Sequence, residues 1–264
     1  MEIVLVTGGS SGIGAATAKV LACAGMKVYA GSRRGTSAVE HPNIIPVKLD
    51  VNDKELTESV VDSIVKAEGR LDAVVCNAGN GIYGPVEYTT EEDARAQFET
   101  CFFGALKTIQ ACLTVFRKQG YGRIITVTSV MAVLQLPYQV FYSSAKAAML
   151  SLTEGLRMEL EGSGIQCCSI LPGDVATDFT SARKKEVPDG TPYHDRMMKN
   201  LSKIEKDETT GMKPEVIAKA ILKQLRRRKM AVRVIPRIDY KAVGLLARLF
   251  PESLKLRLLN ALYN

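Results

Sequence analysis

Short β-branched runs alternate with longer stretches of helical periodicity from the first residues to about residue 235, and this rhythm limits the chain to few folds. A strand followed by a helix before the next strand builds a parallel sheet, since each crossover returns the chain to the same end and lays a helix over one face. Strands are expected near Glu2–Thr7, Lys27–Gly31, Ile44–Leu49, Ala73–Cys76, Gly122–Val127, Ile165–Ile170 and Val232–Ile235. Helices are expected near Gly12–Ala24, Lys54–Glu68, Glu91–Arg117, Phe141–Glu161, Pro214–Arg228 and within the last 25 residues. The expected fold class is α/β, a doubly wound parallel sheet of about seven strands with helices on both faces and a helical C-terminal extension over residues 236–264. A single domain over 1–264 fits, because one α/β sheet often uses roughly 200–250 residues. Residues 176–212 break the rhythm. They are charged and turn-rich with scattered apolar residues such as Tyr193, Met197, Met198 and Leu201, as expected of a substrate loop.

Composition removes several classes. With 46% hydrophobic and 24% charged residues the chain is neither disordered nor fibrous. Its six cysteines form no C-x-x-C pair or zinc-type spacing, which points to a reducing, cytoplasmic setting and to no metal site. The N-terminal apolar run is too short for a signal peptide, and no apolar run approaches the ~20 residues of a membrane span. The net charge of +7 is uneven: residues from Lys213 onward carry +10 and the rest −3. No nucleic-acid fold signature accompanies it. The Arg226–Lys229 cluster reads first as a solvated helix end. The basic, leucine-rich run Leu254–Leu259 suggests peripheral contact with an anionic membrane surface, or steering of acidic lipophilic substrates.

Directly after the first strand comes Thr7-Gly8-Gly9-Ser10-Ser11-Gly12-Ile13-Gly14, opening an Ala-rich helix. Glycines there let backbone N–H groups approach a pyrophosphate at the positive end of a helix. The T-G-x-x-x-G-x-G spacing resembles the cofactor turn of the short-chain dehydrogenase/reductase family, and later segments match it in order. Asp50-Val51 follows the third strand, Asn77-Ala78-Gly79 the fourth, Ser129 the fifth, and Pro172-Gly173 with Val175 and Thr177 the sixth; Tyr142-Ser143-Ser144-Ala145-Lys146 matches the Y-x-x-x-K. The resemblance implies a Rossmann-like fold. It also implies a nicotinamide cofactor held by Gly8, Ser10, Ser11, Gly12, Ile13, Gly14, Asp50, Val51, Asn77, Ala78, Gly79, Tyr142, Lys146, Pro172, Gly173, Val175 and Thr177.

The end of the second strand separates NAD from NADP in dinucleotide folds. Here it reads Ser32-Arg33-Arg34, with no acid to repel a 2′-phosphate and two guanidiniums to pair it, so NADP(H) is expected. Tyr142 and Lys146 are one helical turn apart, on one face. An ammonium favours phenolate, so Lys146 is expected to lower the Tyr142 pKa and let the phenol exchange a proton with a carbonyl or alcohol oxygen. Ser129 would hydrogen-bond the same oxygen. One residue departs from the family pattern. Relatives usually carry Asn where this chain has Cys101, and cysteine lacks the amide hydrogen bonds, so a rearranged proton relay is expected.

The expected substrate residues are Met131, Leu136, Tyr138, Gln139 and Phe179, a mostly apolar lining for a small lipophilic carbonyl or alcohol. Asn77–Glu87 and Leu136-Pro137-Tyr138 resemble the branch with 17β-hydroxysteroid and retinol dehydrogenases, implying a hydroxysteroid or bile-acid-like substrate. Two alternatives stay open: a 3-oxoacyl-thioester reductase, and an NADPH-binding regulator without turnover. The family also implies a homodimer or homotetramer, built here through Glu91–Arg117 and Phe141–Glu161.

Overall fold

A computed structural model describes residues 1–185, 189–237, 240 and 251–263. The expected sheet is present, seven parallel strands in the order β3-β2-β1-β4-β6-β7-β9. They are β1 (Ile3–Thr7), β2 (Lys27–Ser32), β3 (Ile44–Lys48), β4 (Ala73–Cys76), β6 (Gly122–Val127), β7 (Ile165–Ile170) and β9 (Arg233–Val234). Two further strands, β5 (Ile82–Tyr83) and β8 (Lys184–Lys185), pair with each other away from the main sheet. Both were unforeseen, since two residues carry no readable period.

Every residue of β1 is buried, as a central parallel strand covered on both faces requires. Its side chains alternate between two cores. Ile3 and Leu5 join Val74, Ile109, Phe116, Ile124 and Met149 beneath α2 (Lys54–Glu68), α4 (Gly104–Gln119) and α5 (Val140–Glu159). Val4 and Val6 join Val28, Val75, Ile125 and Ile170 beneath α1 (Gly12–Cys23) and α8 (Pro214–Leu225). The apolar pattern of strand and helix therefore agrees on both sides of the sheet.

Two helical expectations need correction. The stretch Glu91–Arg117 is not one helix: α3 (Glu91–Phe98) passes through a π-helical turn at Glu99–Phe103 into α4. The wide turn carries the Gly104 N–H to Glu99 O and leaves Cys101 buried. The excursion 176–212 is also more regular than its composition suggests. It contains the short α6 (Phe179–Ala182) and the sixteen-residue α7 (His194–Thr209), which buries Met197, Leu201 and Ile204 at helical spacing. These pack with Tyr83 and Tyr138 in a small third core. At the base of the excursion Val175 bridges Met212, with Ala176 N donating to Met212 O at 3.0 Å and Met212 N to Asp174 O at 2.9 Å.

Of the C-terminal extension, residues 238, 239, 241–250 and 264 lie outside the described residues, as do 186–188 of the substrate loop. The closing helix α9 (Glu252–Tyr263) exposes Leu254, Leu256, Leu258 and Leu262 and touches the rest through Tyr263, which packs against the third core. Arg226–Lys229 are exposed just beyond α8, as the solvated-helix-end reading expects. Among the described residues no helix is long and apolar enough to cross a membrane.

Candidate active site

Strand order reverses between β1 and β4, and at such a point the loops leaving adjacent strands open a crevice at their carboxyl ends. The glycine turn after β1 lies in it. A Cβ on Gly14 would fall 2.0 Å from Gly8 O, so only glycine allows the turn to close this tightly. Gly12 has φ +52°, and a Cβ there would project into the gap between the turn and Thr177, 3.3 Å from its side chain. Ser11 precedes α1 without a side-chain cap, and no acid occupies the first turn. The start of α1 therefore keeps its positive end for an anion.

Asn77 braces this turn from β4. Its Nδ2 donates to Thr7 O at 3.0 Å and Gly8 O at 3.3 Å, while Thr7 Oγ1 accepts from the N–H groups of Asn77 and Ala78 at 3.0 and 3.1 Å. The Asn77 amide nitrogen, in a residue the resemblance assigns to the cofactor, thus holds the turn itself. Gly9 N donates to Gly31 O at 2.9 Å, which ties the turn to the end of β2. Just beyond, Ser32 is buried, while Arg33 and Arg34 are exposed and form no ion pair among the described residues. Asp50 turns its carboxylate onto Asn52 N at 3.0 Å, and Val51 is buried behind it. A glycine cradle, an uncapped helix start and two free guanidiniums fit a phosphorylated dinucleotide.

Next to the cradle, α5 presents Tyr142 and Lys146. Lys146 is 5% exposed, donates from Nζ to Val127 O at 2.9 Å and lies 5.7 Å from the Tyr142 ring centre. Ser129, at the end of β6, accepts from Met131 N at 3.1 Å and is one of the groups that pull the Tyr142 pKa down. Pro172 O accepts from Val130 N at 2.8 Å, tying the segment after β7 to that of Ser129. Tyr240 covers Gly173, and Thr177 Oγ1 accepts from Phe179 N at 3.3 Å. The ring of Phe179 sits 5.7 Å from that of Tyr142.

The electrostatic expectation for Tyr142 is half right. Burial pushes its phenol above the ordinary value, outweighing the downward pull of Lys146; the Cys101 side chain pushes further up, and Ser129 and Arg183 pull down. Lys146 does favour the phenolate, but desolvation around the ring is the larger effect. Cys101 shares this chamber: a Cβ on Gly79 would lie 3.4 Å from its sulfur and 3.6 Å from Lys146 Nζ. Its sulfur accepts from Gln97 Nε2 at 3.0 Å, and the same amide nitrogen donates to Asn80 O at 3.0 Å. Gln97 Oε1 is buried without a partner among the described residues. Gln97 was not singled out from sequence, since its place depends on the π turn.

Among the expected substrate residues, Met131, Leu136 and Phe179 are half-buried, and of these Phe179 packs against the Tyr142 ring. Tyr138 and Gln139 are instead buried, 7% and 2% exposed. Tyr138 adopts φ +63° and packs against Tyr83 and Tyr193, so it shapes the loop from within. Arg183, which no motif marked, lies fully enclosed beside Phe179.

Residues 2–188 match the family model for short chain dehydrogenases. A 3-ketodihydrosphingosine reductase of Bacteroides thetaiotaomicron is 36% identical over 229 residues, spanning 86% of this chain and 84% of its own. A solved short-chain dehydrogenase from Streptomyces avermitilis superposes with a TM-score of 0.85 at 28% identity, over 97% of this chain and 94% of that one. Another, from Burkholderia cenocepacia in complex with NADP, gives 0.78 at 25% identity over 98% and 99%.

Replacing Cys101 by Ala removes one of the groups that raise the Tyr142 pKa. The Tyr142 phenol is expected to ionise at lower pH in the variant, read by NMR titration of labelled tyrosine with Tyr142→Phe as the assignment control. An unmoved or higher titration would refute this account of the chamber.

Proposed function

Because the chain belongs to the short-chain dehydrogenase/reductase family, whose members are oxidoreductases, we propose that it interconverts a ketone and a secondary alcohol on a lipophilic substrate with NADP(H). The convergence of Ser129, Tyr142 and Lys146 beside the glycine cradle carries this reading. Bound NADPH would supply hydride to the carbonyl carbon. Ser129 and Tyr142 would hold the carbonyl oxygen, and the phenol, kept protonated by its buried setting, would give that oxygen its proton as charge develops. Lys146 would stabilise the phenolate left behind. NADP(H) over NAD(H) is supported by Arg33 and Arg34, just after β2, which are exposed and form no ion pair among the described residues.

The apolar side chains of Met131, Leu136 and Phe179, assigned to the substrate from sequence and all half-buried, suit a lipophilic ketone. The hydroxysteroid or bile-acid-like class remains our leading substrate. A sphingoid ketone is the second reading, favoured by the relative from Bacteroides that shares most of this chain's length. NADPH consumption across steroid ketones, keto bile acids, 3-ketodihydrosphingosine and acetoacetyl thioesters separates these classes. NADPH binding with no turnover of any of them would favour a regulator.

Two substitutions test the machinery. Tyr142→Phe is expected to lower kcat by roughly 10²–10⁴-fold while NADPH still binds; unchanged turnover would remove the phenol from the mechanism. Arg33→Ala is expected to weaken NADPH about tenfold or more and to leave NADH nearly untouched. Equal losses for both cofactors would refute the phosphate contact.

We further propose a homo-oligomer through α3, α4 and α5, where Phe103 and Val140 are exposed, and a peripheral membrane contact through the leucine face of α9. Sedimentation reads both. The protein alone should run as a dimer or tetramer, and it should pellet with anionic but not with neutral vesicles. A monomer would reject the first proposal, and equal pelleting or none the second.

A further inference from the structure

Arg183 follows α6 in the lid that carries Phe179 over Tyr142. Its side chain has no exposed surface. The guanidinium carbon lies 5.6 Å from the Phe179 ring centre, and that ring lies 5.7 Å from the ring of Tyr142, so a single aromatic side chain separates the guanidinium from the phenol-bearing ring. The lid is closely fitted there: a Cβ on Gly81 would lie 2.8 Å from Phe179 Cζ and 3.5 Å from Arg183 Cγ. Lys184 N donates to Gly81 O at 3.0 Å, so β5 and β8 fix the backbone beside the guanidinium.

The guanidinium is only partly satisfied. Nη2 meets Glu208, whose other oxygen accepts from Thr180 Oγ1 at 2.7 Å. Nε and Nη1 are buried and meet no acceptor among the described residues. Tying the lid to α7 would need only the Glu208 contact. The two following cations also tie the lid down by ion pairs, Lys184 to Asp93 of α3 and Lys185 to Glu205 of α7, both at 2.5 Å. An enclosed cation with unfilled donors carries a desolvation penalty that a bound oxygen acceptor removes, and an anionic acceptor removes it best.

We infer that Arg183 is the substrate-anion receptor of this site: its Nε and Nη1 receive a carboxylate carried by the ketone substrate, while Glu208 and Thr180 hold the guanidinium in position. This rests on the ketone-reductase reading above and narrows it to keto acids. It favours the bile-acid-like class over a sphingoid base, whose ammonium Arg183 would repel.

Matched probes test it. Nonanoic acids bearing a ketone at the fourth, sixth or eighth carbon, and an oxo-cholanic acid, are compared with their methyl esters and trimethylammonium analogues by NADPH consumption. For at least one ketone position the wild-type enzyme is expected to prefer carboxylate over ester by tenfold or more in kcat/KM. Arg183→Gln should abolish that preference, and Glu208→Gln, which removes the competing carboxylate, should increase it. A wild-type enzyme without the preference, or one whose preference survives Arg183→Gln, overturns the proposal. If no ketone is reduced, the reductase reading fails by itself, and calorimetry of nonanoate on the NADPH complex decides this one. Binding lost in Arg183→Gln supports the receptor; absent binding, or binding unaffected by the variant, overturns it. Should Arg183→Gln not fold, the selectivity gain or its absence in Glu208→Gln decides.

Discussion

Strands β1 and β4 lie side by side, yet the helices that follow them cover opposite faces of the sheet. The chain must therefore part above these two strand ends, and the gap cannot be filled by either departing segment. The side chain of Thr7 bridges it, accepting two N–H groups from the β4 side, and Asn77 returns two hydrogen bonds to the turn after β1. These bonds join residues about seventy positions apart. They hold the glycine cradle at a fixed height over the sheet, and the Ser129 and Thr177 segments are set against the same rim by their own parallel strands. The hydrogen-bond pattern of the parallel sheet thus provides the positional accuracy on which the site depends.

Inside the site, two opposing effects meet on one phenol. Burial favours the neutral form of Tyr142, and Lys146 favours the charged one. Enclosure is the stronger in the structure described. A group that is to give a proton to a developing alkoxide benefits from being protonated at rest and stabilised once ionised, and this balance serves both needs. Cys101 tilts it further toward the neutral form, held by the Gln97 amide in a turn that widens locally to admit the pair.

Local patterns made much of this readable beforehand. The seven main strands, the glycine cradle, and the Tyr142–Lys146 pair on one helical face all depend on residues near each other in the chain, where periodicity and spacing speak directly. What escaped reading depends on distant partners. The π turn at Glu99–Phe103 looks like ordinary helix until Cys101 meets Asn80. Helix α7 was hidden by its charged face, and its buried residues have meaning only against Tyr83 and Tyr138. The ammonium effect on Tyr142 could be foreseen from spacing, but the larger desolvation could not, because burial is set by segments distant in the chain, such as the one that carries Phe179. Arg183 is the furthest case, since its surroundings come from Gly81, Phe179 and Glu208, and no local pattern distinguishes it from the lysines that follow.

The narrow base of the excursion has a consequence for how such a molecule can change. Two backbone hydrogen bonds across the Val175–Met212 bridge draw the ends of the segment together, and α7 supplies it with a core of its own, separate from the two beneath the sheet. Lengthening or rewriting a loop closed at such a neck costs little conformational entropy, since the cost grows only slowly with length. The lid can therefore drift in sequence and be refitted to new ligands while the catalytic floor, held by other strands, is left as it was. Thr177 and Phe179, which meet the glycine turn and the Tyr142 ring, are the points where that drift stays tied to the chemistry.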